Sequence, residues 1–207
     1  GESGDTQPYA LQREVEDIEA LISEAGGSAC LFGASSGGAL VLEAAASVAA
    51  DKVAVYEVPY SLGDEALEAW EEYRKNLKAA LEKDDRNQAL VTFMKLAGSS
   101  DKDIEGAKNS SYWTPMLAIA PTLAYDAEVL GDGKPPVERL KKITQPTLVV
   151  NGGILDPGMQ GLQPDFFSLA ADEVAEALPH AERHTIENQG HRADPKELGK
   201  LLKEFFA

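Results

Sequence analysis

Two glycines spaced around a serine, at the end of a short apolar run, constrain this chain more than anything else in it. The run Ala29-Cys30-Leu31-Phe32 leads into Gly33-Ala34-Ser35-Ser36-Gly37-Gly38, and an alanine-rich, glycine-poor stretch continues to Ala50. The pattern predicts a strand, a sharp turn and a helix. For strand and helix to approach so closely, the positions two before and two after the serine must be nearly free of side chain, as Gly33 and Gly37 are. Ser35 is then held out at the top of a sheet with its hydroxyl exposed. The first turn of the helix points the backbone N–H of Ser36 at the same spot, where a developing oxyanion is stabilised. Glycine-rich turns of this kind also cradle phosphates, but neither GxGxxG nor GK[ST] occurs here, so the turn reads as the seat of a nucleophile. Ser35 takes the strained central position and Ser36 supplies an amide.

The rest of the chain fits around that turn. Leu11, Val15, Ile18, Leu21 and Ile22 recur at helical spacing before it, and Gly26-Gly27 ends that helix. A strand from Lys52 to Glu57 follows the turn's own helix. Helix, strand, turn, helix and strand in this order imply an α/β fold with a parallel sheet covered on both faces, whose ligands sit at the carboxyl ends of the strands. From Ser61 to about Gly131 the pattern becomes helical without strands, marked by Leu67, Trp70, Leu77 and Leu81, then Leu90, Val91, Phe93 and Met94. Tyr112 to Leu130 holds one or two further helices, broken at Pro115 and Pro121. Such an insertion between strands is expected to cap their ends, with Trp70, Phe93, Met94, Trp113 and Met116 available to line an apolar pocket. The sheet resumes at Pro146-Thr147-Leu148-Val149-Val150 and again from Glu182 to Ile186. Asp194, Pro195 and Glu197 predict a capping box at the start of the closing helix. The expected division is a core part over residues 1–60, a helical cap over 61–131 and a second core part over 132–207.

A serine hydroxyl needs an adjacent base, and the base an orienting acid. Of three histidines, His180 follows a proline at a helix end and His184 lies within a strand. His191 alone sits in a glycine-preceded loop at the carboxyl edge of the sheet, which makes it the candidate base. Asp156, in the loop after the preceding strand, gives the order Ser, Asp, His and is the favoured acid. Glu57, at the end of the strand after the turn, is the alternative. A formal charge of −16 opposes attraction to nucleic acid or to anionic membranes, and no apolar stretch approaches the roughly 20 residues of a membrane span. Cys30 is the one cysteine, expected to be buried in its strand. It allows no internal disulfide and leans the reading towards the cytoplasm.

Gly33-Ala34-Ser35-Ser36-Gly37, the segment from Pro146 to Gly152 leading to Asp156, and Gly190-His191 together resemble the α/β-hydrolase fold family over essentially the whole chain. The likeness is strongest to small bacterial serine esterase-like members that read GxGDS-like before the first helix, as Gly1-Glu2-Ser3-Gly4-Asp5 does. The resemblance implies a mostly parallel sheet with flanking helices and a helical cap insertion. It also implies Ser35 as nucleophile, Asp156 as acid, His191 as base and Ser36 as oxyanion donor, with no metal or organic cofactor. Members of the family begin with further strands, including a turn that gives a second oxyanion donor, which this sequence lacks. The expectation is therefore that those strands lie on another polypeptide or that sheet edges meet in a homo-oligomer. The expected activity is hydrolysis of carboxylic esters or related acyl bonds of a small-molecule substrate through an acyl-enzyme. The alternatives are a non-catalytic hydrolase-like domain that binds a ligand or partner, and a cofactor-free reaction other than hydrolysis.

Overall fold

The computed structural model describes residue 4 and residues 6–207, so the Gly1-to-Asp5 run lies, apart from Gly4, outside the described residues. Helix α1 (Leu11–Glu24) buries Val15 and Ile22 on one stripe and stops where Gly26 and Gly27 take φ values of 109° and 95°. Strand β1 (Ala29–Ala34) then runs to Ser35, and α2 (Ser36–Ala45) leaves from it. Ala39, Ala44 and Ala45 of α2 are almost completely buried, because only methyl-sized side chains fit between its backbone and its neighbours. Strand β2 (Ala50–Tyr56) follows. Helices α3 (Asp64–Leu81), α4 (Arg86–Leu96), α5 (Asp101–Lys108), α6 (Trp113–Ile119) and α7 (Leu123–Leu130) come next, before the short α8 (Val137–Leu140). Strand β3 (Thr147–Gly152), α9 (Phe166–Ala177), β4 (Ala181–Ile186) and α10 (Pro195–Phe206) complete the chain.

The four strands pair in parallel in the order β1-β2-β3-β4. All six residues of β3 are buried, as expected of a strand with neighbours on both sides and helices on both faces. The period of two splits β2 and β3 between two cores. Val53, Val55 and Val149 face the helices α2 and α9, whereas Ala54, Tyr56, Leu148 and Val150 pack on Leu198, Leu201, Leu202 and Phe205 of α10. Register aligns Ala34, Tyr56, Val150 and His184 across the sheet. Ser35 and Glu57, each one residue further on, therefore emerge side by side at the carboxyl edge.

Three details differ from the sequence expectation. Cys30 is exposed, because the side of β1 that carries Cys30, Phe32 and Ala34 is not covered by α10. Helix α5, which apolar periodicity does not mark, is set by a capping box in which the Ser100 hydroxyl accepts the Asp103 N–H and the Asp103 carboxylate accepts the Ser100 N–H. At α10, conversely, the Asp194 side chain accepts the Lys196 N–H at 2.8 Å, while the backbone N–H of Asp194 itself donates to Gln189 Oε1 at 2.7 Å. Gln189 thus takes the donor that Glu197 was expected to satisfy.

The helices between β2 and β3 are tied back to the sheet at their return. The indole of Trp70 donates to the Gly131 carbonyl at 3.1 Å, and its ring lies against Gly133, where a Cβ would come within 2.5 Å of it. That close approach holds α3 over the carboxyl ends of the strands. Among the described residues no helix is long and apolar enough to cross a membrane.

Candidate active site

Ser35 has φ 55° and ψ −133°, a conformation that costs a non-glycine residue about 1–3 kcal/mol. Its N–H donates to the Tyr56 carbonyl at 2.8 Å, continuing the β1–β2 ladder one residue past the strand, and its carbonyl accepts from Gly38 and Ala39 as α2 begins. The residue is pulled between two regular elements, and the strain is the result. Ser36 is the first residue of α2, where a backbone N–H has no intrahelical acceptor.

Glu57, at the same edge, also takes a positive φ, 48°, and it is 1% exposed. Its carboxylate is fully engaged: Oε1 accepts the Gly152 N–H at 2.8 Å, and Oε2 lies 2.8 Å from Nδ1 of His191. Burying a carboxylate is costly unless such partners replace water. The imidazole is held on its flat side too, stacked on Phe167 with ring centroids 5.0 Å apart.

Asp156, favoured as the acid from chain order, does not meet the ring. Its Oδ2 accepts from the backbone N–H and the Nε of Arg192, both at 3.3 Å, and its Oδ1 packs so close to Gly190 that a Cβ there would come within 2.2 Å. It braces the loop that carries His191, while Glu57 contacts the imidazole. The same loop is tied to the sheet by Tyr56, whose hydroxyl donates to the Gly190 carbonyl at 2.6 Å. Replacing Tyr56 by phenylalanine strands that buried carbonyl, at a cost of about 1–3 kcal/mol. At about 2–4 °C per kcal/mol for a domain of this size, the expected fall in melting temperature is about 2–12 °C, read by thermal denaturation of the two proteins side by side.

Ser35, Ser36, His191 and Asp156 all line one cavity of about 810 Å³, open to solvent and mostly apolar. Trp70, Phe93 and Met94 are in its wall. Trp113 and Met116 are not. The Trp113 indole donates to Asn87 Oδ1 at 3.0 Å, and Met116 packs against the buried core, so both serve contacts among the helices. His180 and His184 are exposed, and neither lines the cavity. Sequence reasoning missed Asp126. This half-buried carboxyl, on α7, lines the cavity together with Ser36; burial raises its pKa above the ordinary value, and the Ser36 side chain only partly opposes the rise. An aspartate in the first turn of a helix carries no spacing signal that would have singled it out. Among the described residues no cluster of His, Cys, Asp and Glu is arranged to hold a metal ion.

The comparisons agree with this fold. No curated protein sequence matches the chain. An alpha/beta hydrolase from Sphaerobacter thermophilus is 37% identical over 100% of this chain and 78% of its own, with a TM-score of 0.84. A thermophilic esterase from Thermogutta terrifontis (17% identity, 99% of this chain and 75% of that one, TM-score 0.66) and a bromoperoxidase from Bacillus anthracis (20%, 98% and 77%, TM-score 0.63) share the fold. A family model described as the alpha/beta hydrolase family matches residues 1–199. With a parallel sheet, a strained serine between β1 and α2, and a histidine loop after β4 on the same cavity, this chain belongs to the alpha/beta hydrolase family.

Proposed function

We propose that the protein is a serine hydrolase of carboxylic esters or related acyl bonds, with Ser35 as nucleophile, His191 as general base and acid, and Glu57 as the residue that orients the imidazole. The observation that carries the reading is the 2.8 Å contact of buried Glu57 with His191 on the cavity that strained Ser35 also lines. Glu57 fixes the proton of His191 on Nδ1, which leaves Nε2 free to accept. Nε2 takes the proton of the Ser35 hydroxyl as Oγ attacks the carbonyl carbon, and the Ser36 N–H donates to the oxyanion. The tetrahedral species collapses when the bond to the leaving oxygen breaks and His191 passes that oxygen its proton. Water then adds to the acyl-enzyme, giving a proton to His191, and Ser35 departs with it. The α3-to-α7 helices act as a cap, and the apolar wall with Trp70, Phe93 and Met94 suits a hydrocarbon acyl or alcohol portion.

The test is covalent. A fluorophosphonate, which phosphonylates activated serines, is expected to add one adduct to the intact protein, map to Ser35 by peptide mass and fail to label Ser35→Ala. Absence of an adduct, or an adduct retained in Ser35→Ala, overturns the assignment of Ser35.

A further inference from the structure

Among the described residues, Asp126 is the one carboxylate in the cavity wall that is half-buried and has no cationic partner. Among the described residues the lining holds two lysine or arginine side chains, and both are exposed and already paired: Lys95 Nζ lies 3.8 Å from Asp101, and Arg192 Nε lies 3.3 Å from Asp156. No ion pair is made by Asp126 among the described residues, and its carboxylate, which lines the cavity, offers roughly four acceptor positions. Its setting suits a cation. Trp70 and Tyr73 form a tilted aromatic pair at 5.3 Å in the same wall, and the carboxylate lies near enough to Tyr73 to add to the effect of burial in pushing that phenol up. Aromatic faces attract ammonium groups, most strongly where water is excluded. The position also creates a conflict with the chemistry. An ionised carboxylate in the cavity wall that Ser36 shares opposes the negative charge that builds near the Ser36 N–H during attack, and a cation seated on it removes that opposition.

Resting on the serine hydrolase reading, we propose that Asp126 is a specificity-determining residue that receives a protonated amine of the substrate. The substrate class is then an ester whose otherwise apolar chain carries an ammonium group, in preference to its neutral or anionic counterpart.

The preference is tested on binding, apart from turnover. Wild-type protein is titrated at pH 8 with hexylammonium, hexanol and hexanoate, followed by the fluorescence of Trp70 in the cavity wall. Hexylammonium is expected to bind about tenfold or more tighter than hexanol, with hexanoate weakest, since a charge-assisted hydrogen bond is roughly twice as strong as a neutral one. In Asp126→Asn the ammonium and alcohol are expected to bind alike. Hexanol binding as tightly as hexylammonium to the wild type overturns the proposal, even if the variant does not fold, and so does a preference that persists in Asp126→Asn. A protein that shows the preference without labelling at Ser35 fails the hydrolase reading alone. One that labels at Ser35 without the preference fails this one alone.

Discussion

Glu57→Gln is expected to lower kcat on a chromogenic ester by about 1,000- to 10,000-fold, with KM little changed, because it forces the wrong tautomer on His191. The two oxygens of Glu57 face two different groups. Oε1 accepts from the Gly152 N–H, which can only donate, and Oε2 sits on Nδ1 of His191. A glutamine keeps one acceptor and gains one donor, so its oxygen must stay on Gly152 and its NH2 must face Nδ1. Nδ1 then has to accept, the ring proton moves to Nε2, and Nε2 cannot take the proton of Ser35. The opposite orientation sets NH2 against N–H at a buried site, which costs about 1–3 kcal/mol. Asp156→Asn makes the control. Its partner Arg192 has a side chain that is 87% exposed, and such pairs contribute about 0–1 kcal/mol, so the expected loss in kcat is less than about tenfold. A large loss in Asp156→Asn with activity retained in Glu57→Gln would reverse the two assignments.

That pair of residues also marks where sequence reading stops. The strand, turn and helix around Ser35, the parallel order of the strands and the position of His191 were legible, because each depends on local pattern and on the rule that ligands meet strand ends. Choosing between Glu57 and Asp156 depends on register and on one backbone angle. Tyr56 pairs with Val150, so Glu57 emerges level with Asn151, and its φ of 48° coincides with a side chain that contacts both Gly152 and His191. Chain order carries neither fact. A signal was present, since Glu57 is the lone charged residue in an apolar segment running from Val53 to Tyr60, and a buried acid needs partners. Trp113 and Met116 failed for a different reason. Helical spacing shows that a residue faces something apolar, and gives no means of telling cavity wall from neighbouring helix. Asp126 was invisible because its meaning comes from α7 meeting Ser36, far away in the chain.

Gly33→Ala is expected to destabilise the protein by about 3 kcal/mol or more, at the upper end of overpacking costs, because the added Cβ meets backbone that cannot yield. It would lie 2.2 Å from the carbonyl oxygen of Gly37, 2.6 Å from its carbon and 2.8 Å from the Cα of Gly38. At about 2–4 °C per kcal/mol, the melting temperature should fall by about 6–12 °C. Turnover should fall further than stability alone explains, since relief of the clash must move β1 against α2, and a 1 Å displacement of Ser35 costs about 100-fold. Symmetry of the motif suggests that Gly37 is equally intolerant, and the structure says otherwise. A Cβ on Gly37 has nothing within 4 Å among the described residues, whereas one on Gly38 would come within 2.7 Å of Val58 Cγ2 and 3.1 Å of the Gly33 carbonyl oxygen. The close approach is therefore between Gly33 and the backbone of the 37–38 turn, with Gly38 as the second position that must stay bare. Gly37→Ala, at the second position of α2, should melt within about 2 °C of the wild type and keep its fluorophosphonate labelling, surface changes of this kind staying within about 0.5 kcal/mol. Thermal melts and labelling rates of the two variants decide the matter: an intolerant Gly37 beside a tolerant Gly33 would mean that the elbow is held from the helix side instead of the strand side.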